Sequence, residues 1–150
     1  MLARAGLVAR DAYLKMLGKT ITQVMHAPGR FKQTLAESSF DAWIKYYRPD
    51  ENTPNAVVSY YQKGAVVALC LGLLIRQRTN GRRSLDHVMR ALWRRFGKTG
   101  QGVPEDGIQQ IAESVAGVPL KNFFHRALNS TEELPFARLL ATMGIEMTLR

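Results

Sequence analysis

Apolar residues recur at helical spacing along most of this chain. Between positions 10 and 25, Tyr13, Leu14, Leu17, Ile21, Val24 and Met25 fall on one stripe of a helix, which Pro28-Gly29 ends. The stretch from Phe31 to Glu37 shows no clear period; Ser38 or Ser39 then caps a short helix running through Trp43, Ile44 and Tyr47. A polar loop with two prolines, Arg48 to Asn55, leads to a long helix over 56–78 for which Asn55 is the expected N-cap. Asn80-Gly81 turns the chain.

Beyond the turn the helical period continues. Ser84 caps a helix with Leu85, Val88, Met89, Leu92, Trp93 and Phe96 on one face and Gly97 as its stop. Lys98 to Gly102 is a glycine-bearing linker. Pro104, followed by Glu105 and Asp106, starts a helix carrying Ile108, Ile111 and Val115 inward to a Gly117 stop, because proline loses no bond at the first position and acids favour the positive helix end. Leu120 to Leu128 forms the next, with Phe123, Phe124 and Leu128 inward. Leu134-Pro135 opens the last, through Phe136, Leu139, Leu140 and Met143 to Gly144. The expected fold class is all-α, with about six or seven helices around a central apolar one.

That central run, Ala65-Val66-Val67-Ala68-Leu69-Cys70-Leu71-Gly72-Leu73-Leu74-Ile75, is apolar all round, which calls for neighbours on every side. Between Lys63 and Arg76 it falls short of the ~20 apolar residues needed to cross hydrocarbon, so no membrane partner is expected. Arginines interrupt the first ten residues, which do not read as a signal peptide.

Composition adds three constraints. A chain of 150 residues, 46% hydrophobic and 22% charged, is sized and balanced for one folded domain. Its single cysteine, Cys70, excludes an internal disulfide and reads as a small buried hydrophobe, compatible with a reducing cytoplasm. The net charge of +9 gathers in Arg76, Arg78, Arg82, Arg83, Arg90, Arg94, Arg95 and Lys98. Such a patch admits a second reading, a basic helical module for nucleic acid or an acidic protein. No Gly-rich or aromatic stacking motif lies among these residues, so nucleic acid is disfavoured.

Catalytic chemistry has few footholds. His26, His87 and His125 have no histidine at i+4, and His-Glu-x-x-His does not occur. Asp41, Asp50 and Glu51 have no spacing with a histidine that would bind metal or build a triad, and Ser59 lacks a nearby base. No metal or other cofactor is expected in this chain. One segment stands out: Ser59-Tyr60-Tyr61-Gln62-Lys63-Gly64, leading straight into the apolar run.

Tyr-x-Lys-Gly before an apolar helix resembles the segment of zinc aminopeptidases whose tyrosine donates a hydrogen bond to the tetrahedral intermediate. The likeness extends over Leu35 to Asn55, Ser84 to Gly97 and Ser130 to Pro135, and resembles the glycyl aminopeptidase family, number 61 of the metallopeptidases. It implies the C-terminal helical part of a thermolysin-like catalytic domain over 1–144. Residues 145–150 would be a tail or the first residues of a PDZ domain.

The resemblance implies that the chain is a fragment. The family places upstream a β-rich domain, the His-Glu-x-x-His helix and a third zinc ligand, Glu. The parent would release N-terminal Gly or Ala from peptides with zinc as cofactor, and its zinc-carrying half, its PDZ domain and its peptide substrate would be the partners. The isolated chain would be inactive, and its exposed apolar faces could meet another copy. Within the motif Tyr61 is the implied oxyanion donor, its phenol staying protonated at neutral pH.

Tyr60 lies about 100° further round a helix, so the two are not expected to share one cleft equally. Lys63 is expected on the helix surface and Gly64 to permit close helix packing. Trp43, Tyr46 and Tyr47, with the loop from Asp50 to Asn55, are candidates to border the substrate cleft, core packing being the favoured alternative for Trp43. His87 stands where the family often has an acid, and Gly72 where Asp is common.

Overall fold

The computed structural model describes residues 5–148, so the ends of the two terminal readings, Met1 to Arg4 and Leu149 to Arg150, lie outside it. Among the described residues there are eight α-helices and no strand. They pack as two compact units whose boundary falls inside one helix, after Val66.

In the first unit, α1 (Arg10–His26) buries Ile21 and Val24 of the expected stripe. A 3-10 turn, Pro28–Phe31, follows it. The stretch without period is organised after all. Thr34 caps α2 (Leu35–Phe40) through a capping box, its hydroxyl accepting from the Glu37 amide at 3.2 Å while the Glu37 carboxylate accepts from the Thr34 amide at 2.8 Å. Hydrogen bonds from the Thr34 amide and then its side chain hold the Glu37 carboxyl below its usual range. The cap therefore lies four residues before Ser38, which is itself buried. A π turn, Ala42–Tyr46, ends this region.

The expected long helix is broken in two. The short α3 (Thr53–Ala56) ends at extended Val57, and α4 (Tyr60–Arg78) begins only after Ser59. Asn55 lies inside α3 and caps nothing; Ser59 takes the cap position, its carbonyl accepting from the Lys63 amide at 2.9 Å and its hydroxyl lying 3.4 Å from the Gln62 amide. By length and composition alone Thr53–Arg78 would serve as a membrane span. Within it Val57–Ser59 is non-helical, and Val66, Cys70, Leu71, Leu73 and Ile75 are buried.

The second unit has a single apolar core. Leu71 and Ile75 of α4 meet Val88 of α5 (Leu85–Leu92) and Phe96 of the following π turn, Trp93–Gly97. Ile111, Ala112 and Ala116 of α6 (Gly107–Ala116), then Leu120 and Phe124, complete it. Phe124 lies in α7 (Lys121–Asn129), and α8 (Phe136–Ala141) buries Phe136, Leu139 and Leu140.

Four inward assignments are corrected here. Met89 and Trp93 are exposed because Val88 and Phe96 take the core side, and Trp93 instead covers the backbone of Gly97. Ile108 and Met143 also face solvent, while the small Gly107, Ala112 and Ala116 let α6 approach its neighbours. Gly72, not Gly64, sits at a close packing contact. A Cβ on Gly72 would lie 2.7 Å from the Leu85 side chain, whereas one on Gly64 would meet nothing within 4 Å.

Candidate functional site

Two buried polar side chains position the start of α4. The Gln33 amide oxygen accepts from the Val58 N–H at 3.3 Å, and the Ser38 hydroxyl donates to the Val58 carbonyl. Val58 is itself buried, so these bonds satisfy backbone groups that water does not reach. Gly29 makes this possible. Any Cβ there would overlap the Val57 backbone, so the 3-10 turn and the extended strand of chain approach each other only through glycine.

Lys63 reinforces the same arrangement. It is half-buried, with desolvation holding its ammonium below the usual lysine range, and it donates to the Gln33 carbonyl at 3.4 Å. The surface lysine expected from the sequence is therefore a tether between α4 and the chain before α2.

With Ser59 at the cap, Tyr60 and Tyr61 occupy the first turn of α4, next to its positive end. Their rings stack, with centroids 4.2 Å apart, so the separation expected around the helix does not keep them apart. Both hydroxyls meet that of Tyr47, at 2.9 Å for Tyr60 and 3.0 Å for Tyr61. Tyr46 packs edge-on against Tyr60 and lies 3.4 Å from the Ser59 hydroxyl, while Trp43 rests against Tyr47.

The cluster divides its protons unevenly. Hydrogen bonds from Tyr47 and then Tyr60 pull the Tyr61 phenol below its ordinary pKa, whereas the bonds to Tyr47 and Tyr61 push Tyr60 upward. Tyr61 is 60% exposed and is the most acidic hydroxyl of the trio. A more acidic phenol is the stronger hydrogen-bond donor to an anion.

Around it lies an apolar surface that the sequence reading had assigned partly to the core. Trp43 is 78% exposed, and Phe40, Ile44 and Tyr47 are exposed with it. Two of the carboxylates singled out earlier have local partners instead: Asp41 pairs with the Lys45 ammonium, and Asp50 accepts from the Thr53 hydroxyl and the Asn52 amide. Glu51 enters none of these bonds. Among the described residues, no three of His, Cys, Asp and Glu come together to hold a metal ion.

Gly29 and Gln33 are site-shaping residues that pattern reading missed; Ser38 had been read as a helix cap, and Tyr47 as bordering the cleft without its hydroxyl contact to Tyr61. Two signals were available: Thr34-x-x-Glu37 and Ser59-x-x-Gln62 are both capping-box spacings. Gln62, however, turns its amide to Gln23 at 2.9 Å. Nothing in the local sequence marks Gln33 or Tyr47.

A family model described as M61 glycyl aminopeptidase matches residues 1–67, the segment that contains this whole cluster. Over that segment the chain is similar to the M61 glycyl aminopeptidases. A crystal structure of an aminopeptidase N family protein from Idiomarina loihiensis matches 97% of this chain at 38% identity and a TM-score of 0.91. The chain spans 25% of that protein's length. No curated protein matches.

Proposed function

We propose that this chain is the helical wall of an aminopeptidase active site and that Tyr61 is its oxyanion donor. The observation that carries the reading is the acidified, solvent-open Tyr61 hydroxyl in the first turn of α4. When a peptide carbonyl becomes tetrahedral, its oxygen gains negative charge; Tyr61 O–H donates to it, and the helix end adds a favourable field. Tyr47 and Tyr60 hold the phenol in place and drain charge from its oxygen. The exposed Trp43 and Tyr47 would border the bound peptide.

The remaining parts of the reaction lie outside this chain's described residues. Because the matched aminopeptidase is far longer, the parent is proposed to release N-terminal Gly or Ala with a zinc site carried elsewhere, with 1–144 as the helical subdomain and 145–150 leading onward to a PDZ domain. The isolated chain is expected to be inactive on glycyl chromogenic substrates. In the full-length protein, Tyr61→Phe should lower kcat by about a hundredfold or more with bound zinc and folding unchanged. An unaltered kcat would remove Tyr61 from the mechanism.

A further inference from the structure

A concavity lies wholly within the unit that begins at Val67. It is a cleft of about 550 Å³ lined by Arg78, Arg82 and Arg83 on one side and Ser114, Val115 and Gly117 on the other. Among the described residues no carboxylate pairs with any of the three arginines. Glu113, next in sequence to Ser114, is engaged instead by the Leu120 amide at 2.9 Å and by Gln109.

Arginine near a helix C-terminus ordinarily answers the negative helix end. Here that need is met by the backbone. At the end of α4, the Arg76 carbonyl accepts from Gly81 N at 2.8 Å, the Ile75 carbonyl from Thr79, and the Thr79 carbonyl from Arg82. At the end of α6, Gly117 N closes onto the Glu113 carbonyl at 2.8 Å. The Arg78 and Arg83 guanidinium groups and the terminal nitrogens of Arg82 are left for something else.

The turn that presents them is fixed in advance. Asn80 and Gly81 both adopt positive φ, and the Thr79 hydroxyl accepts from the Arg83 amide at 3.0 Å while donating to Ile75. From this fixed backbone turn, guanidinium forks match the oxygens of a phosphate group. The lining contains no aromatic ring on which a nucleobase could stack.

We propose that this cleft binds a small phosphate-bearing anion, held by Arg78, Arg82 and Arg83 with the Ser114 hydroxyl as a further donor. This assignment is independent of the peptidase reading. Inorganic pyrophosphate is the probe, titrated calorimetrically into the 150-residue chain at low salt, with a single-stranded oligonucleotide and polyglutamate as parallel arms. The expected result is saturable binding at one site, weakened roughly tenfold or more by Arg82→Ala or Arg83→Ala and unchanged by Arg90→Ala.

Absence of pyrophosphate binding to the unaltered chain would overturn the proposal. So would equal weakening by all three variants, or affinity only for the long polyanions, since either marks a diffuse basic surface. Ser114→Ala, on a different helix, provides a variant independent of the turn; weakened pyrophosphate binding is expected, and full retention alongside full retention in the arginine variants would also overturn the assignment.

Discussion

The Tyr47 hydroxyl sits 3.0 Å from that of Tyr61, across fourteen residues of chain. That bond, with the one from Tyr60, lowers the pKa of Tyr61 and leaves Tyr60 raised. As pH rises, Tyr61 should ionise first of the pair and Tyr60 last. Because Tyr61 releases its proton more readily folded than unfolded, its ionisation favours the fold as pH climbs through its range, while Tyr60 opposes it. Removing the Tyr47 hydroxyl by Tyr47→Phe should shift the earliest tyrosinate absorbance step to higher pH. A titration curve unchanged by that substitution would contradict the hydrogen-bonded trio.

Gly29 and Gly64 should respond oppositely to alanine. A methyl at Gly29 collides with the Val57 backbone, which cannot move without breaking the Gln33 and Ser38 bonds to Val58. The expected loss is about 2 kcal/mol or more. At Gly64 there is open space, so alanine should stabilise α4 by about 0.5–1 kcal/mol. Urea unfolding of the two variants measures both, and a stabilised Gly29→Ala would refute the close approach.

Ser38→Ala leaves the buried Val58 carbonyl without its donor and should destabilise by roughly 1–3 kcal/mol. Gln33→Leu strands the Val58 N–H in the same way. Hydrogen exchange at Val58 is the sharper readout for the second variant. Its amide should lose protection by more than the global stability falls.

His87 occupies the third position of α5, where its Nδ1 accepts from the Ser84 amide at 3.1 Å. This is the place of the acid in a capping box, so the histidine performs the acid's task. His87→Glu adds negative charge at the positive helix end and should stabilise by up to about 1 kcal/mol. Guanidinium denaturation checks it, with an unchanged or lowered midpoint counting against the cap.

Several helix ends beyond residue 80 were readable because the residues there carry their own chemistry, but the start expected at Pro104 falls instead at Gly107, after a turn at Glu105 and Asp106. Gly117 and Gly144 adopt positive φ where stops were expected, and Ser84 is the cap that its position suggested. The break before α4 was harder to see. Val57 to Ser59 are extended because Gln33 and Ser38 hold Val58 from more than a helix away, and no local pattern encodes that bond. Trp43 and Met89 illustrate a different blindness: periodicity tells which residues share a face, but not whether anything covers it. The candidate donor Tyr61 was legible by resemblance, whereas Tyr47, which tunes it, required the tertiary structure.

Cys70 is the chain's only thiol, is fully inaccessible in the second unit, and burial pushes its pKa up to about 12. Thiol reagents therefore reach it only when that core opens. The rate of alkylation becomes a native gauge of opening around α4, needing neither an introduced label nor a second cysteine to be removed first.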